Sequence, residues 1–537
     1  VQQQIWPFYF YSNPEVFRND PIAHYYLACL PQGFKALYRV WTVFSDPILL
    51  STYLPYLLYF FAVLGMWRAA YLIGGGSTAW LTLLLFLSCG IYLDRMTGGL
   101  PRSFGFPILI WTIYALIAER HVLLGVLALL GAAFYPTAGL ISGACLALAL
   151  LTEKFTGTRA RKHTFGEALR LLLLFGLLSS LAILPTLLNA REFGEKIPMT
   201  SVEEFPELGE HGRYQKWDRY PWPTLSESVR KGYLQGVSGV GAPLVPIGRK
   251  ALESVLPLEY LLLLLGGLGL LTLFAWTSIE RVARRLVLYF IASFGVYYVA
   301  TWIAPHLYIP QRYLSYALPP FGALLVGYGI SRLSRLGEKM TGNRVSRTAL
   351  SFVAVFVIAV LVGNHSRVES GLKISLARAE QEVLKEISTL PSGALIASYP
   401  HGVINAVPLV SKRRVLVSLE TYQVFHRKYA LLMRERMNAL LDAYYSGSVE
   451  KLLALSDRYG VTHLLRVRTH FKKDTVGLFE PFRPVIREAI AYRKEHGDEL
   501  EQYAKDAVVY SFGRHTLWDL KRLRQSVRAQ HGGAQTE

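Results

Sequence analysis

Stretch after stretch of this chain stays apolar for longer than an element of a soluble core requires. The runs fall at 48–66, 78–93, 104–118, 122–134, 137–151, 168–190, 257–276, 286–304, 311–330 and 348–363. A bilayer core of roughly 30 Å calls for about 20 predominantly apolar residues per helical span, so the pattern predicts about ten spans. Those at 104–118, 122–134 and 137–151 are short, and only Tyr135 and Pro136 separate the last two. They read as a broken or re-entrant pair held within a bundle. The 57 Lys and Arg against 38 Asp and Glu give a formal charge of +19, which in a soluble chain would suggest nucleic acid. With 52% hydrophobic and 18% charged residues, a membrane is the better partner and no nucleic acid is expected. The 27 Phe, 32 Tyr and 10 Trp exclude disorder. Three cysteines, Cys29, Cys89 and Cys145, leave no disulfide framework or Cys-based metal site to expect.

Lys and Arg in short loops favour the cytoplasmic side. Arg68, Arg120, the group Lys154, Arg159, Arg161 and Lys162, then Arg281, Arg284 and Arg285, then Arg332, Arg335, Lys339, Arg344 and Arg347 occupy alternate connections. The other set is balanced: 1–47 holds Arg18, Lys35 and Arg39 against Glu15, Asp20 and Asp46, and 191–256 has nine of each sign. Parity places the start of the chain and everything after 363 on the outer face, for a protein of the bacterial inner membrane. The chain begins at Val1, already in an outward segment, so a signal or first transmembrane helix is expected upstream.

The organisation that follows is a first outer segment with amphipathic stretches (1–47), a transmembrane bundle (48–363) including the long outer loop 191–256, an extracytoplasmic α/β domain (364–520) and a basic tail (521–537) expected to be frayed. In the α/β domain the alternation predicts helices near 372–389, 422–445 and 449–459 and strands at 394–398, 414–419, 462–467 and 507–512.

Three outward segments carry candidate chemistry. The first, Asn13 to Pro21, offers Glu15 and Asp20; Asp before Pro either caps a helix or serves as a carboxylate base towards a substrate hydroxyl. His24 would share a helical face with Asp20, but two ligands do not make a metal site. The second, Asp94 to Ser103, combines Arg95 and Arg102 with Gly98 and Gly99; arginine suits phosphate oxygens, and equally caps and snorkels at a headgroup layer. The third, His306 to Tyr313, holds His306 and Arg312. Gly74-Gly75-Gly76 lacks the Lys-Ser/Thr of a phosphate loop, and the one match to a glycosylation acceptor, Asn364-His365-Ser366, is close to chance. No motif supports a divalent metal, and no cofactor is expected.

Asn19-Asp20, the stretch Gly98 to Pro107 (GGLPRSFGFP), Ala133 to Thr137 (AFYPT), Arg312-Tyr313-Leu314 and the outer α/β domain together resemble a group of uncharacterised bacterial polytopic membrane proteins. That group is similar to the GT-C class of integral-membrane glycosyltransferases, and the resemblance covers nearly the whole chain. It implies a carboxylate in the first outer loop acting on the acceptor, here Asp20, and basic residues holding the lipid phosphate, here Arg95, Arg102 and Arg312, with His306 beside them. Two departures stand: Asn19 replaces the first acid of the usual pair, and the first transmembrane helix is missing.

The function this implies is transfer of a sugar from a polyprenyl-phosphate-linked donor to an acceptor on the outer face, with membrane lipids and the lipid-linked sugar as partners. The alternative is a non-catalytic scaffold or accessory subunit bound to other membrane subunits. Ion-coupled transport is disfavoured, because Arg68, Asp94, Arg95, Glu259 and Arg312 sit at span ends rather than deep within spans.

Overall fold

The computed structural model describes residues 3–155, 164–198, 200–214, 280–304, 307, 309–341, 376–472 and 478–533. Helix starts follow the local chemistry. Asp20 caps α1 (Pro21–Cys29) by accepting the Ile22 N–H at 2.9 Å. After α2 (Gln32–Trp41), Asp46 caps α3 (Pro47–Ser88) in the same way through Ile48 at 2.8 Å. In both, proline fills the first helical position, where its missing donor costs nothing.

The bundle continues with α4 (Gly90–Met96), α5 (Gly105–Ile117), α6 (His121–Phe134), α7 (Pro136–Phe155), α8 (Phe165–Ala190), α9 (Glu280–Trp302) and α10 (Gln311–Thr341). Among the described residues, four helices are long and apolar enough to cross a membrane, by length and composition: Pro47–Leu87, Phe165–Phe193, Val282–Trp302 and Gln311–Arg335. That count is lower than the expected ten, eight of which fall on described residues. The runs at 104–118, 122–134 and 137–151 form shorter apolar helices, and at 1.5 Å per residue the 13 residues of α5 reach only about 20 Å. The runs 48–66 and 78–93 fall largely within α3, and 257–276 and 348–363 lie outside the described residues.

Helix α3 is continuous only nominally. Gly74 (φ −149°, ψ 15°) and Gly75 (φ 75°, ψ −166°) leave helical geometry, and the second conformation suits only a residue without a Cβ. The chain reverses there. Trp67 and Trp80 rings lie 4.6 Å apart, and Tyr59 stacks on Phe86 at 5.5 Å, whereas a straight helix would separate the latter pair by about 40 Å. A second hairpin turns at Tyr135-Pro136, and its arms touch where a Cβ on Gly131 would come within 2.3 Å of the Gly139 Cα. At the centre runs α10, 94% buried over its apolar window, against 6% for α8. Leu173, Leu174, Leu177, Leu181 and Leu184 of α8 face outward, an apolar surface suited to lipid.

Contacts sort the connections onto two ends. At one, Arg335 Nη2 donates to the Gly74 carbonyl at 2.6 Å and Arg285 pairs with Glu119 at 3.5 Å. At the other, Tyr38 OH donates to Gly99 O at 2.9 Å, and Gln32 Nε2 to Thr186 Oγ1 at 3.1 Å. The second end is roofed by the C-terminal domain.

That domain contains α11 (Arg378–Thr389), β1 (Leu395–Ser398), β2 (Arg414–Val415), α12 (Arg427–Ser446), α13 (Val449–Tyr459), β3 (His463–Val467), α14 (Phe482–His496), β4 (Val508–Phe512), β5 (His515–Asp519) and α15 (Leu520–Gly533). Its sheet runs β2-β1-β3-β5-β4, with β2, β1 and β3 parallel, and β5 antiparallel to both β3 and β4. Gly447 (φ 68°) ends α12, and Ser448 caps α13 immediately after. The tail expected to fray is instead helix α15 over 520–533: Leu520 and Leu523 are buried, and Ser526 Oγ donates to Asp506 at 2.6 Å. The apolar face carried by two leucines outweighed the basic composition.

The roof is held on by segments distant in sequence. Tyr25 stacks flat on Tyr429 at 3.5 Å, Tyr26 OH donates to Glu420 O at 2.9 Å, and Lys412 pairs with Asp46 at 3.1 Å. From the segment after α8, Glu207 is fully buried and receives both Arg434 Nε (2.9 Å) and Nη2 (2.7 Å), with Tyr422 OH as a third donor.

Two outcomes follow. Glu207→Ala strands the Arg434 guanidinium, so purified protein should lose about 3–5 kcal/mol in denaturant melts and expose 200–214 to protease. A cysteine at exposed Glu495 should react with an impermeant maleimide in intact cells if the roofed end is outward; labelling only after lysis would place it inside.

Candidate functional site

The end roofed by the C-terminal domain brings two polar groupings close to the bundle. The first surrounds Asp20, which is 2% exposed. One carboxylate oxygen, Oδ1, is committed to the α1 cap. The other, Oδ2, is buried with no hydrogen-bond partner, as are Nε of Arg414 and Nε of Arg436. Those two arginines are the charges that bear on Asp20, Arg414 from the start of β2 and Arg436 from α12. Buried polar atoms are mostly paired, so Oδ2 keeps an acceptor position that the fold itself does not use.

Burial pushes the Asp20 carboxyl up to about 6, with the Ile22 N–H, Arg436 and Arg414 only partly restoring the charged form. Beside it opens a cleft of about 430 Å³ lined by Pro14, Glu15, Val16, Arg18, Asn19 and Arg414. Nearby, His426 accepts or donates at Nδ1 to Tyr25 OH (3.1 Å), and burial with Lys196 adjacent holds it down to about 4, a neutral ring at physiological pH. His24, expected on the Asp20 face, contacts the Arg18 carbonyl instead and packs edge-on to Phe10 at 5.2 Å.

The second grouping forms around Tyr316 of α10. Arg95 lies over its ring at 6.0 Å. Gly105, three residues after Arg102, approaches so closely that a Cβ would meet Tyr316 Cδ1 at 2.8 Å. Arg312 precedes Tyr316 by one helical turn and so shares its face. The Tyr316 hydroxyl and Arg102 Nε are buried without hydrogen-bond partners. The loop that carries Arg102 is fixed by Ser103 Oγ donating to Met96 O at 2.7 Å and by Gly99, where a φ of 56° and the 2.8 Å at which a Cβ would meet Tyr38 OH exclude a side chain.

The five residues singled out in the sequence therefore divide. Arg95 and Arg312 gather at Tyr316, with Arg102 close by in sequence and structure; Asp20 is attended by arginines of the roof; His306 lies outside the described residues. Arg414, Arg436 and Tyr316 were not foreseen. The first two sit in a domain read only for its alternation of elements, and no local motif announces that they return to residue 20.

Among the described residues no group of three or more His, Cys, Asp and Glu is placed to hold a metal ion. No family model matches the chain, and no curated protein does. Solved structures similar to it include the oligosaccharyltransferase of Archaeoglobus fulgidus. In its apo form that protein is 11% identical, with 87% of this chain and 66% of the other covered and a TM-score of 0.46. Its complex with Zn and sulfate gives 12%, 86%, 63% and 0.45 in the same order. The archaeal enzyme AglB of that organism, bound to an inhibitory peptide and a dolichol-phosphate, gives 10%, 87%, 66% and 0.43. The chain thus spans just under two thirds of the length of these structures. Those structures are of an archaeal oligosaccharyltransferase.

The raised Asp20 carboxyl fixes a sign. Its folded value lies above the unfolded one, so its contribution to stability is greatest below about pH 4 and is lost as pH rises through about 6. Above that, the charged form costs about 3 kcal/mol relative to the unfolded chain. Asp20→Asn keeps the cap and should raise the melting temperature at neutral pH, with the gain disappearing towards pH 4; thermal melts of the purified protein across that range check it.

Proposed function

We propose that this protein is a GT-C-type glycosyltransferase that moves a sugar from a polyprenyl-phosphate-linked donor to an acceptor at the roofed end of the bundle, on the outer face of the membrane. The observation that carries the reading is the unpaired Oδ2 of Asp20, on which the charges of Arg414 and Arg436 bear, at the same end of the bundle as the Arg95, Arg102 and Arg312 grouping.

In this reading the acceptor hydroxyl enters by the cleft at Glu15, Asn19 and Arg414 and gives its proton to Asp20 Oδ2. Its oxygen bonds to the anomeric carbon while the bond from that carbon to the phosphate oxygen breaks. The electron pair leaves with the polyprenyl phosphate, whose charge Arg95, Arg102 and Arg312 compensate, with His306 as a further candidate. A base whose pKa lies close to the working pH is the most effective proton acceptor, and burial has moved Asp20 in that direction. Oδ1 remains with the Ile22 N–H, which fixes the carboxyl plane.

One observation favours the scaffold reading: Asp20 caps α1 and is almost fully enclosed, which a structural carboxylate would also show. Substitution separates the two. If Asp20 is the base, Asp20→Asn folds normally and lowers transfer about 10²–10⁴-fold, since only the proton acceptor is gone. Asp20→Ala loses the cap as well, at about 1 kcal/mol. The assay uses the donor found to accumulate in cells lacking the protein. Full activity in Asp20→Asn removes the base assignment, and no altered glycan or lipid-linked sugar in the deletion strain turns the choice to the scaffold.

A further inference from the structure

The roof domain has a second polar grouping, remote from Asp20 and unused by the chemistry above. From β1 the chain moves one way in the sheet to β2, then back across β1 to β3. Both crossovers join parallel strands, so their common right-handedness places them on opposite faces. The segment after β1, 402–410, packs on α11, whereas α12 of the other crossover packs with α14, which follows β3. The connections leaving the carboxyl ends of β1 and β3 therefore diverge to opposite faces. In open α/β sheets such a divergence between adjacent strands is where ligands bind.

The residues at that edge are basic. His401 follows β1. Arg468 and His470 follow β3. Because β5 is antiparallel to β3, with His515 opposite Val467, Arg514 and His515 arrive at the same edge from the other direction. Arg468 N–H donates to Arg514 O at 2.9 Å and its Nη2 to Gly513 O at 2.5 Å. The His470 ring meets Tyr399 edge-on at 4.5 Å, and its Nδ1 is 3.1 Å from Tyr444 OH. Glu380 of α11 stands 3.4 Å from Arg514. His515 is 1% exposed, and its Nδ1 has no hydrogen-bond partner. His401 is exposed.

Collecting two guanidinium groups and three imidazoles at one strand edge costs stability through mutual repulsion, and the pKa directions record it. Burial, then Arg514, His515 and His401, hold His470 down to about 4; burial and Arg514 lower His515 while Glu380 opposes them. An oxyanion placed among these groups would offset that repulsion and favour the charged imidazoles.

We propose that the edge outside the carboxyl ends of β1 and β3 is a binding site for an oxyanion, a carboxylate or phosphate group, held by His401, Arg468, His470 and Arg514. Binding draws a proton onto the imidazoles, so affinity rises as pH falls. The groups that set this dependence are Arg514, His515 and Glu380 on the α11 side, Tyr444 of α12, and Tyr399 and His401 after β1.

The test uses the full chain in a neutral detergent and radiolabelled sulfate, whose charge stays constant across the range, in equilibrium dialysis at about pH 5.5 and about pH 7.5, either side of the ordinary imidazole value. Expected are saturable binding and an affinity about tenfold higher at the lower pH. Arg468→Gln with Arg514→Gln should weaken binding about tenfold or more, since each removes a charge-assisted hydrogen bond. His470→Gln should flatten the pH dependence. His401→Gln, on an exposed ring, gives a variant whose folding is not at stake and should weaken binding about threefold. Displacement of sulfate by phosphatidylglycerol vesicles but not phosphatidylcholine assigns the anion to a lipid headgroup; displacement by glucuronate or a soluble sugar phosphate assigns it to a free ligand. Absence of saturable binding at the lower pH, or unchanged affinity in both the double arginine variant and His401→Gln, overturns the proposal.

Discussion

The carboxylate of Glu207 decides whether the roof stays on. It is fully buried, and an isolated charge in that position would be prohibitive. The forked Arg434 guanidinium and the Tyr422 hydroxyl make it tolerable, three donors on two oxygens. Because Glu207 belongs to the segment after α8 and its partners to the C-terminal domain, none of the three is satisfied unless domain and bundle are joined. The Tyr25 and Tyr429 stack and the Lys412 and Asp46 pair then add area and direction on the side of the first segment. Asp20 acquires its arginine neighbours only through this seating, so the candidate site is a product of docking rather than a property of either part.

Within the bundle, glycine settles the geometry at the few places where helices must turn or touch. Gly75 lets α3 reverse, and Arg335 fastens that turn to the central helix through the Gly74 carbonyl. Gly131 and Gly139 let α6 and α7 approach closely, and Gly105 makes room for Tyr316. Without water to drive apolar surfaces together, helices in a bilayer depend on such close contacts and on occasional polar pins, of which Thr112 and Ser142, 2.7 Å apart, are one.

How much could be read in advance depends on how local the cause was. The strands at β1, β3 and β4 and the helices α12 and α13 fell close to their expected places because short alternating runs bounded by Gly447, Ser448 and Gly460 specify them within a few residues. β5 has no local signal: His515 to Asp519 alternates weakly and is held as a strand between β3 and β4. Hydropathy marks composition rather than how helices join: α5 is apolar but only 13 residues long, and α3 carries two of the expected runs on either side of Gly74 and Gly75. Asp20 was visible as a cap and a carboxylate, and the structure shows it as the cap. Its neighbours Arg414 and Arg436 lie about four hundred residues away in the sequence, and no local pattern links positions so far apart.

That separation has a consequence for biogenesis. Tyr25 waits for His426, 401 residues later in the chain, and at roughly 5–20 residues per second the ribosome needs on the order of 20–80 s to supply it. During that interval Trp6, Phe8, Tyr9, Phe17 and Tyr25, all buried in the finished molecule, have no roof to cover them. Aromatic rings of this kind partition to the headgroup layer, so the nascent first segment would rest on the bilayer surface until the C-terminal domain lifts part of it away. The membrane would then serve as a temporary chaperone for the segment that carries Asp20.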